Sequence, residues 1–209
     1  MPFGALAIAL AMSGACTPRC DGDLEGARFV ERDRVGNIEW SIESDYSTNA
    51  VGKYDVCDSA GRRIGHVADY ALKGAQTVES TDNSGATVAK SVHYLSGGGF
   101  KADRTIVRPS GTLRIHRAPD LLRILDEQGV PLGQIGEQPG AQRTFAYDAG
   151  GRPFASAELV NGRIALHGID GAVEHLVTGL RSERAAAALA LAALSPLERV
   201  TLALALDGE

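Results

Sequence analysis

The sequence predicts an all-β protein: an antiparallel meander of about twelve strands that closes into a barrel around an apolar C-terminal helix. Three observations support this fold class. Short apolar strands alternate with polar, glycine-containing turns from about residue 27 to residue 178. The 25 glycines among 209 residues exceed ordinary usage. The last apolar segment, residues 196–207, carries helix signals rather than turn signals.

Residues 1–15, MPFGALAIALAMSGA, predict a signal peptide for export. They carry no charged side chain, and small residues follow the apolar segment Phe3–Met12. The run Ser13-Gly14-Ala15-Cys16 resembles a bacterial lipobox, which implies that Cys16 becomes the lipidated first residue of the mature chain. It departs from that pattern in having Ser13 where a Leu-like residue is usual. Alternatives are cleavage before Cys16 without lipidation, or an N-terminal helix buried in the fold.

The three cysteines are Cys16, Cys20 and Cys57, an odd number for an exported protein. If Cys16 carries a lipid, Cys20 and Cys57 remain as one candidate disulfide. The alternative is a pair of unbonded, partly buried thiols. Residues 16–26 are predicted to be a tether, and residues 27–209 a single β-rich domain.

Within that domain, strand–turn–strand units follow one another directly. Asn161-Gly162 is the strongest hairpin signal, because a type I′ turn needs positive φ at both central residues. Strands joined by such short turns pair with their sequence neighbours as an antiparallel meander. A β-sandwich with C-terminal helices is the alternative, because a dozen strands either close or split into two sheets. The other turn glycines are Gly61, Gly85, Gly111, Gly129, Gly151 and Gly171.

Two helices are predicted at the C-terminus, at about 182–194 and 196–207. Ser195-Pro196-Leu197-Glu198 is a capping box with proline at the first helical position. The following residues are apolar on nearly every face, so this helix must be buried. Eleven or so helical residues span only about 16 Å, too short for a bilayer, so this helix is expected inside the β structure. The alternation of Leu202, Leu204 and Leu206 also fits a strand.

The apolar end Arg199–Asp207, together with strand–turn pairs such as Tyr54–Gly61, resembles the tubby-like barrel superfamily. That group includes the tubby C-terminal domain, the LURP-one-related proteins and the phospholipid scramblases. The resemblance covers residues 27–207 and implies a barrel of about twelve strands around a hydrophobic C-terminal helix. Its known members are mostly intracellular, unlike a protein with an export signal. No residue here matches the family's phosphoinositide-binding positions. Tyr147–Arg152 also resembles one YD repeat of secreted shell proteins.

The composition and the absence of recognised motifs argue against several classes of function. The net charge is −5, from 21 basic and 26 acidic residues, and predicts no nucleic-acid partner. No catalytic, metal-binding or phosphate-loop motif is recognised, so catalytic residues stay unknown and neither cofactor nor metal is predicted. Strand phase predicts His116 and His167 on the polar face and His66 on the opposite face, which disfavours a shared metal.

Basic residues concentrate between residues 101 and 123. A basic stretch on an acidic protein predicts a patch that contacts anionic headgroups or an acidic partner; solvated strand faces are the alternative. The patch residues are Lys101, Arg104, Arg108, Arg114, Arg117 and Arg123.

These observations predict a non-enzymatic, lipoprotein-like domain of the bacterial cell envelope. Its expected place is the periplasmic side of the outer membrane or the cell surface, held through a lipid anchor. The alternative is a soluble periplasmic or secreted protein. Candidate ligands are a lipid, an apolar molecule or an envelope protein. The alternative functions are a hydrolase-type enzyme with a site on dispersed loops, or a structural surface-interaction module.

Overall fold

The computed structural model describes residues 20, 29–33, 38–44, 52–72, 75–94, 104–137 and 143–207. They form fourteen strands and two helices. The strands are β1 (Phe29–Asp33), β2 (Ile38–Ser44), β3 (Lys53–Asp58), β4 (Arg63–Leu72), β5 (Ala75–Asp82), β6 (Thr87–Tyr94), β7 (Arg104–Arg108), β8 (Gly111–Ala118), β9 (Leu121–Leu125), β10 (Pro131–Glu137), β11 (Thr144–Tyr147), β12 (Pro153–Val160), β13 (Arg163–Gly168) and β14 (Val173–Thr178). The helices are α1 (Glu183–Leu189) and α2 (Pro196–Asp207).

The strands form one antiparallel meander, as predicted. Each strand pairs with its sequence neighbours, and β1 also pairs with β14, which closes the sheet into a barrel. The fourteen strands exceed the predicted count of about twelve because the segment before β3 contributes two. The sequences of β1 and β2, FVERD and IEWSIES, are rich in charged residues and are not joined by the turn motif of the later hairpins.

Because the strands alternate in direction, their connections gather at two opposite ends of the barrel. One end, called the turn end here, holds the turns after β3, β5, β7, β9, β11 and β13. The opposite end, called the mouth end, holds the connections after the even-numbered strands. Helix α1 begins at the mouth end and α2 begins at the turn end, so the two helices run in opposite directions through the barrel.

Four turns at the turn end share one hydrogen-bonding pattern, in which an aspartate opens the turn and a glycine follows three residues later. The carboxylate of Asp148, for example, accepts the backbone N–H groups of Gly150 and Arg152 at 2.9 and 3.0 Å. The glycine takes positive φ, +79° at Gly151, which an L side chain rarely adopts. The other three turns open at Asp58, Asp82 and Asp126.

The barrel interior is filled by α1 and α2. Every residue from Val200 to Leu206 is at most 2% exposed, so α2 is buried on all faces, as its composition predicts. Helix α2 packs on β4, β5 and β6, whereas α1 packs on β10 to β13. Glycines seven positions after two of the turn aspartates make room for leucines of the C-terminal segment. At Gly65 an added Cβ would lie 2.9 Å from Leu197 Cδ1, and at Gly133 2.8 Å from Leu191 Cδ2.

The predicted capping box begins α2. Glu198 N–H donates to Ser195 Oγ at 3.4 Å, and Ser195 N–H donates to Glu198 Oε2 at 2.7 Å. The first helix is shorter than predicted and ends at Leu189 rather than near 194. The Arg199 guanidinium donates to the carbonyl of Leu189, which a longer helix would have used, and to the carbonyl of Leu194.

The predicted signal peptide, residues 1–15, lies outside the described residues, as do Cys16 and most of the tether. No helix in the described part of the chain is both long enough and apolar enough to span a membrane.

Candidate anion-binding site at the barrel mouth

The mouth end holds a cavity of about 450 Å³ lined by charged and polar side chains. It lies where α1 begins, between the ends of β8, β10 and β12 and the start of β11. Three arginines and two glutamates line it. The residues are Arg117, Glu137, Thr144, Leu159, Arg181, Ser182, Glu183 and Arg184. This cavity is called the arginine mouth below.

Helix α1 is fixed in the mouth by Glu183. Its Oε1 accepts the backbone N–H of Leu159 at 2.8 Å, and its Oε2 accepts the hydroxyl of Thr144 at 3.4 Å. Glu183 is therefore used to hold α1 against β11 and β12. Its two carboxylate oxygens accept these hydrogen bonds, whereas its negative charge remains beside the arginines.

The chain segment before α1 is fixed by the last residue of α2. Asp207 Oδ1 accepts the backbone N–H groups of Arg181 and Ser182 at 2.6 and 3.1 Å. Asp207 is 6% exposed, so this carboxylate is covered by the protein. The backbone carrying Arg181 and Ser182 is therefore held by two hydrogen bonds that do not involve their side chains.

The arginines of the mouth differ in what they contact. Arg184 Nη2 pairs with Glu137 Oε1 at 3.1 Å, and the Glu137 side chain is 53% exposed. Arg181 is exposed, and its bond to Asp207 uses only its backbone N–H. Arg117 lies on the inward face of β8, at the wall of the cavity. The guanidinium groups of Arg117 and Arg181 therefore lie beside the pocket. The backbone of Arg117 is fixed within β8, and that of Arg181 is fixed by Asp207.

The predicted basic patch is not a single surface. Arg104 and Arg108 share the inward face of β7 with Ile106, so both point into the barrel. Arg114 and Arg123 are exposed on the outer wall, and Arg117 lines the mouth. Strand alternation thus separates residues that are close in sequence. Lys101 lies outside the described residues.

The two inward arginines hold α2 in place. Arg104 is 5% exposed and donates from Nη1 to the carbonyl of Ala205. Arg108 Nη1 lies 3.0 Å from Glu198 Oε1, and the two side chains are 16% and 10% exposed. Burial raises the pKa of Glu198, but hydrogen bonds from Ser195 and the pairing with Arg108 outweigh it, and the pKa lies below the usual 4.5.

A second cavity, of about 460 Å³, lies near the turn end where α1 finishes. Arg199, His175, His167 and Glu174 line it together with apolar residues of β12, of β13 and of the chain around the end of α1. The Arg199 guanidinium donates to two backbone carbonyls, at 2.9 and 3.2 Å. Its donors are largely committed to the fold, which makes this cavity a weaker anion site than the arginine mouth.

The outer wall contains a serine, a histidine and a glutamate in close positions. Ser156 and His167 are cross-strand partners of β12 and β13. His167 Nδ1 lies 3.1 Å from the Gly171 carbonyl oxygen, and its Nε2 lies 3.6 Å from Glu158 Oε2. Both ring nitrogens therefore face groups other than Ser156. A catalytic triad needs a histidine nitrogen on the nucleophile, so this arrangement does not form one.

His66 does not face the direction that strand phase predicted. Its partner in β3 is Asp55, and its Nδ1 lies 2.7 Å from Asp55 Oδ1. The pairing register of β3 and β4 shifts between Val56 and Cys57, so that Ile64 is an extra residue in β4. The inward–outward alternation of β4 is interrupted there, and His66 points outward. Among the residues that the structure describes, no group of three or more His, Cys, Asp or Glu side chains is arranged to hold a metal ion.

Cys20 and Cys57 form a disulfide, the pair named in the sequence analysis. Cys57 is 1% exposed and lies one residue before the end of β3. The backbone N–H of Cys20 also donates to the Gly61 carbonyl at 3.2 Å. The start of the described chain is therefore held at the turn end by one covalent bond and one hydrogen bond.

Most residues of the arginine mouth were not predicted as site residues. Only Arg117 was named, as part of the patch. Arg181, Glu183 and Arg184 belong to a charged run directly before the alanine-rich helix, which was the available signal. Glu137 and Thr144 come from other strands, and only the closure of the barrel brings them to the same place.

Comparison with protein-family models, with curated proteins and with solved structures finds no significant match to this chain. The tubby-like resemblance therefore stays a prediction.

Proposed function

We propose that this protein is a non-catalytic binding domain of the cell envelope, anchored by a lipid at Cys16, that binds an anionic group at the arginine mouth. The observation that carries the proposal is the gathering of Arg117, Arg181 and Arg184 at an open end of a barrel. The space that an apolar ligand would occupy within the barrel is taken by α1 and α2.

The chemistry of the mouth favours a carboxylate or phosphate. Guanidinium groups bind both through paired, charge-assisted hydrogen bonds. Arg181 is available at the surface, and Arg184 needs only to exchange the exposed Glu137 carboxylate for that of a ligand. Such a group is carried by an acidic side chain or C-terminus of a partner protein and by small anions.

The disulfide supports the proposed compartment. Disulfides persist in oxidising compartments such as the periplasm and the cell surface. Because Cys20 and Cys57 pair with each other, Cys16 is left as the residue for lipid attachment. The proposed location is the periplasmic side of the outer membrane or the cell surface.

Inorganic phosphate is the simplest probe of the site. In an NMR titration of the arginine side-chain N–H signals, phosphate should shift those of Arg181 and Arg184 and leave Arg114 on the outer wall unchanged. Charge-assisted hydrogen bonds contribute about 1.5–3 kcal/mol each, so Arg181→Ala and Arg184→Ala should each weaken binding by about tenfold or more. Arg114→Ala is the matched control. Equal loss in all three variants, or no shift at the mouth, would reject the site.

A further inference from the structure

The position of the disulfide fixes where a membrane anchor would leave the domain. Cys57 lies at the turn end, and Cys20 is bonded to it and to the Gly61 carbonyl. Cys16 precedes Cys20 by four residues, which span at most about 14 Å when fully extended. A lipid on Cys16 would therefore keep the turn end close to the bilayer surface.

The first strand enters the barrel from the opposite end. Val30 of β1 pairs with Thr178, the last residue of β14 at the mouth end, whereas Asp33 pairs with His175, closer to the turn end. Cys20 therefore lies at the turn end and Phe29 at the mouth end. Without the disulfide, the anchor would be joined to the mouth end through thirteen residues, a reach of about 45 Å.

We propose that the Cys20–Cys57 disulfide makes the turn end the membrane-facing surface and directs the arginine mouth away from the bilayer. This inference rests on the lipid anchor of the proposed function. The turn end then faces the bilayer surface in which the domain's own lipid anchor is inserted. The mouth is then accessible to a partner on the far side, which is where an anionic ligand would have to arrive.

The charge of the turn end indicates that the short connection to the anchor, and not electrostatic attraction to the membrane, determines this orientation. Four of its six described turns open with aspartates, and Arg62 and Arg152 are paired with Asp58 and Asp148 at 2.7 and 2.8 Å. This surface therefore offers anionic headgroups little attraction. The orientation should be the same on zwitterionic and on anionic vesicles.

Energy transfer from the protein to a vesicle surface tests this orientation. The full-chain protein is isolated from the envelope fraction of a Gram-negative host and reconstituted in vesicles whose headgroups carry an acceptor dye. A donor is attached to an azide-bearing residue in place of either Ala149, at the turn end, or Arg163, at the mouth end. The two positions are separated by β12, about 20 Å along a tilted strand.

The expected result is about twofold more energy transfer from position 149 than from position 163. In the double variant Cys20→Ser/Cys57→Ser this difference should disappear. The difference in energy transfer should also disappear when the disulfide of the reconstituted wild-type protein is reduced on the vesicles. This second experiment does not depend on whether the double variant folds. Equal transfer from both positions in the oxidised protein would overturn the inference. So would a difference that survives loss of the disulfide, or one that appears only on anionic vesicles.

The intact mass of the same preparation separates this inference from the proposed function. A protein without acyl mass on Cys16 would reject the proposed anchor. Its Cys16 thiol can then be coupled to a maleimide lipid, because the disulfide occupies the other two cysteines. The energy-transfer measurement on that conjugate still tests whether a lipid attached at residue 16 makes the turn end face the vesicle surface.

Discussion

Replacing Arg108 by Leu tests the claim that an ion pair inside the barrel holds α2. The Arg108–Glu198 pair is 3.0 Å long, and its side chains are 16% and 10% exposed. Removing one partner of a buried pair costs about 3–5 kcal/mol, because the other charge is left uncompensated. Glu198 keeps its hydrogen bond from Ser195 N–H at 2.7 Å, so the low end, about 3 kcal/mol, is expected.

Thermal and urea unfolding of the oxidised protein measure this loss. For a domain of this size, a loss of about 3 kcal/mol corresponds to a fall in Tm of about 6–12 °C. Arg114→Leu on the exposed face of β8 is the matched control, with an expected effect of about 0.5 kcal/mol or less. If Arg108→Leu and Arg114→Leu destabilise equally, the argument for a stabilising buried pair is wrong.

The pH dependence of stability tests the same pair through Glu198. Its folded-state pKa lies below its ordinary value of 4.5. Its ionised form therefore stabilises the fold fully above that value, and this stabilisation is lost as the pH falls through the folded-state pKa. Urea unfolding from neutral pH down to about pH 3 should show a smaller acid-range loss in Glu198→Gln than in the wild type. Parallel losses in both proteins would show that the Glu198 charge is not the source.

Three further predictions concern the rest of the fold. The double variant Cys20→Ser/Cys57→Ser should lose about 3–4 kcal/mol in urea unfolding, because the bond closes a loop with a sequence separation of 37; an unchanged midpoint would contradict this. Gly65→Ala should lower the free energy of unfolding by about 1–3 kcal/mol, because its Cβ would collide with backbone and helix atoms. An unchanged free energy of unfolding would show that the barrel wall and α2 are not in close contact. Asp148→Ala should lower the Tm, because the backbone N–H groups of Gly150 and Arg152 lose their carboxylate acceptor, and an unchanged Tm would mean that the turn forms without it.

Local signals in the sequence predict much of this fold. The Asn161-Gly162 turn has positive φ at both residues, +51° and +77°, as a type I′ hairpin requires. The capping box at Ser195 and the apolar faces of α2 predict a buried helix, and the structure has one. These features depend on residues close in sequence, and for that reason they can be derived without tertiary information.

The errors come from reading proximity along the chain as proximity in space. Arg104 and Arg108 flank Ile106 at intervals of two, so strand alternation predicts that all three share one face. Grouping the basic residues by sequence position overlooked that alternation. The arginine mouth combines α1 with β8, β10, β11 and β12, and no local pattern specifies which side chains meet when the barrel closes.

The intact mass of full-length protein expressed in a Gram-negative host tests the central claim most directly. It is measured with and without reduction and thiol alkylation. We expect a chain that begins at Cys16, carries added acyl mass and accepts alkylation at Cys20 and Cys57 only after reduction. An uncut chain with three thiols that react without reduction would contradict both the anchor and the proposed compartment.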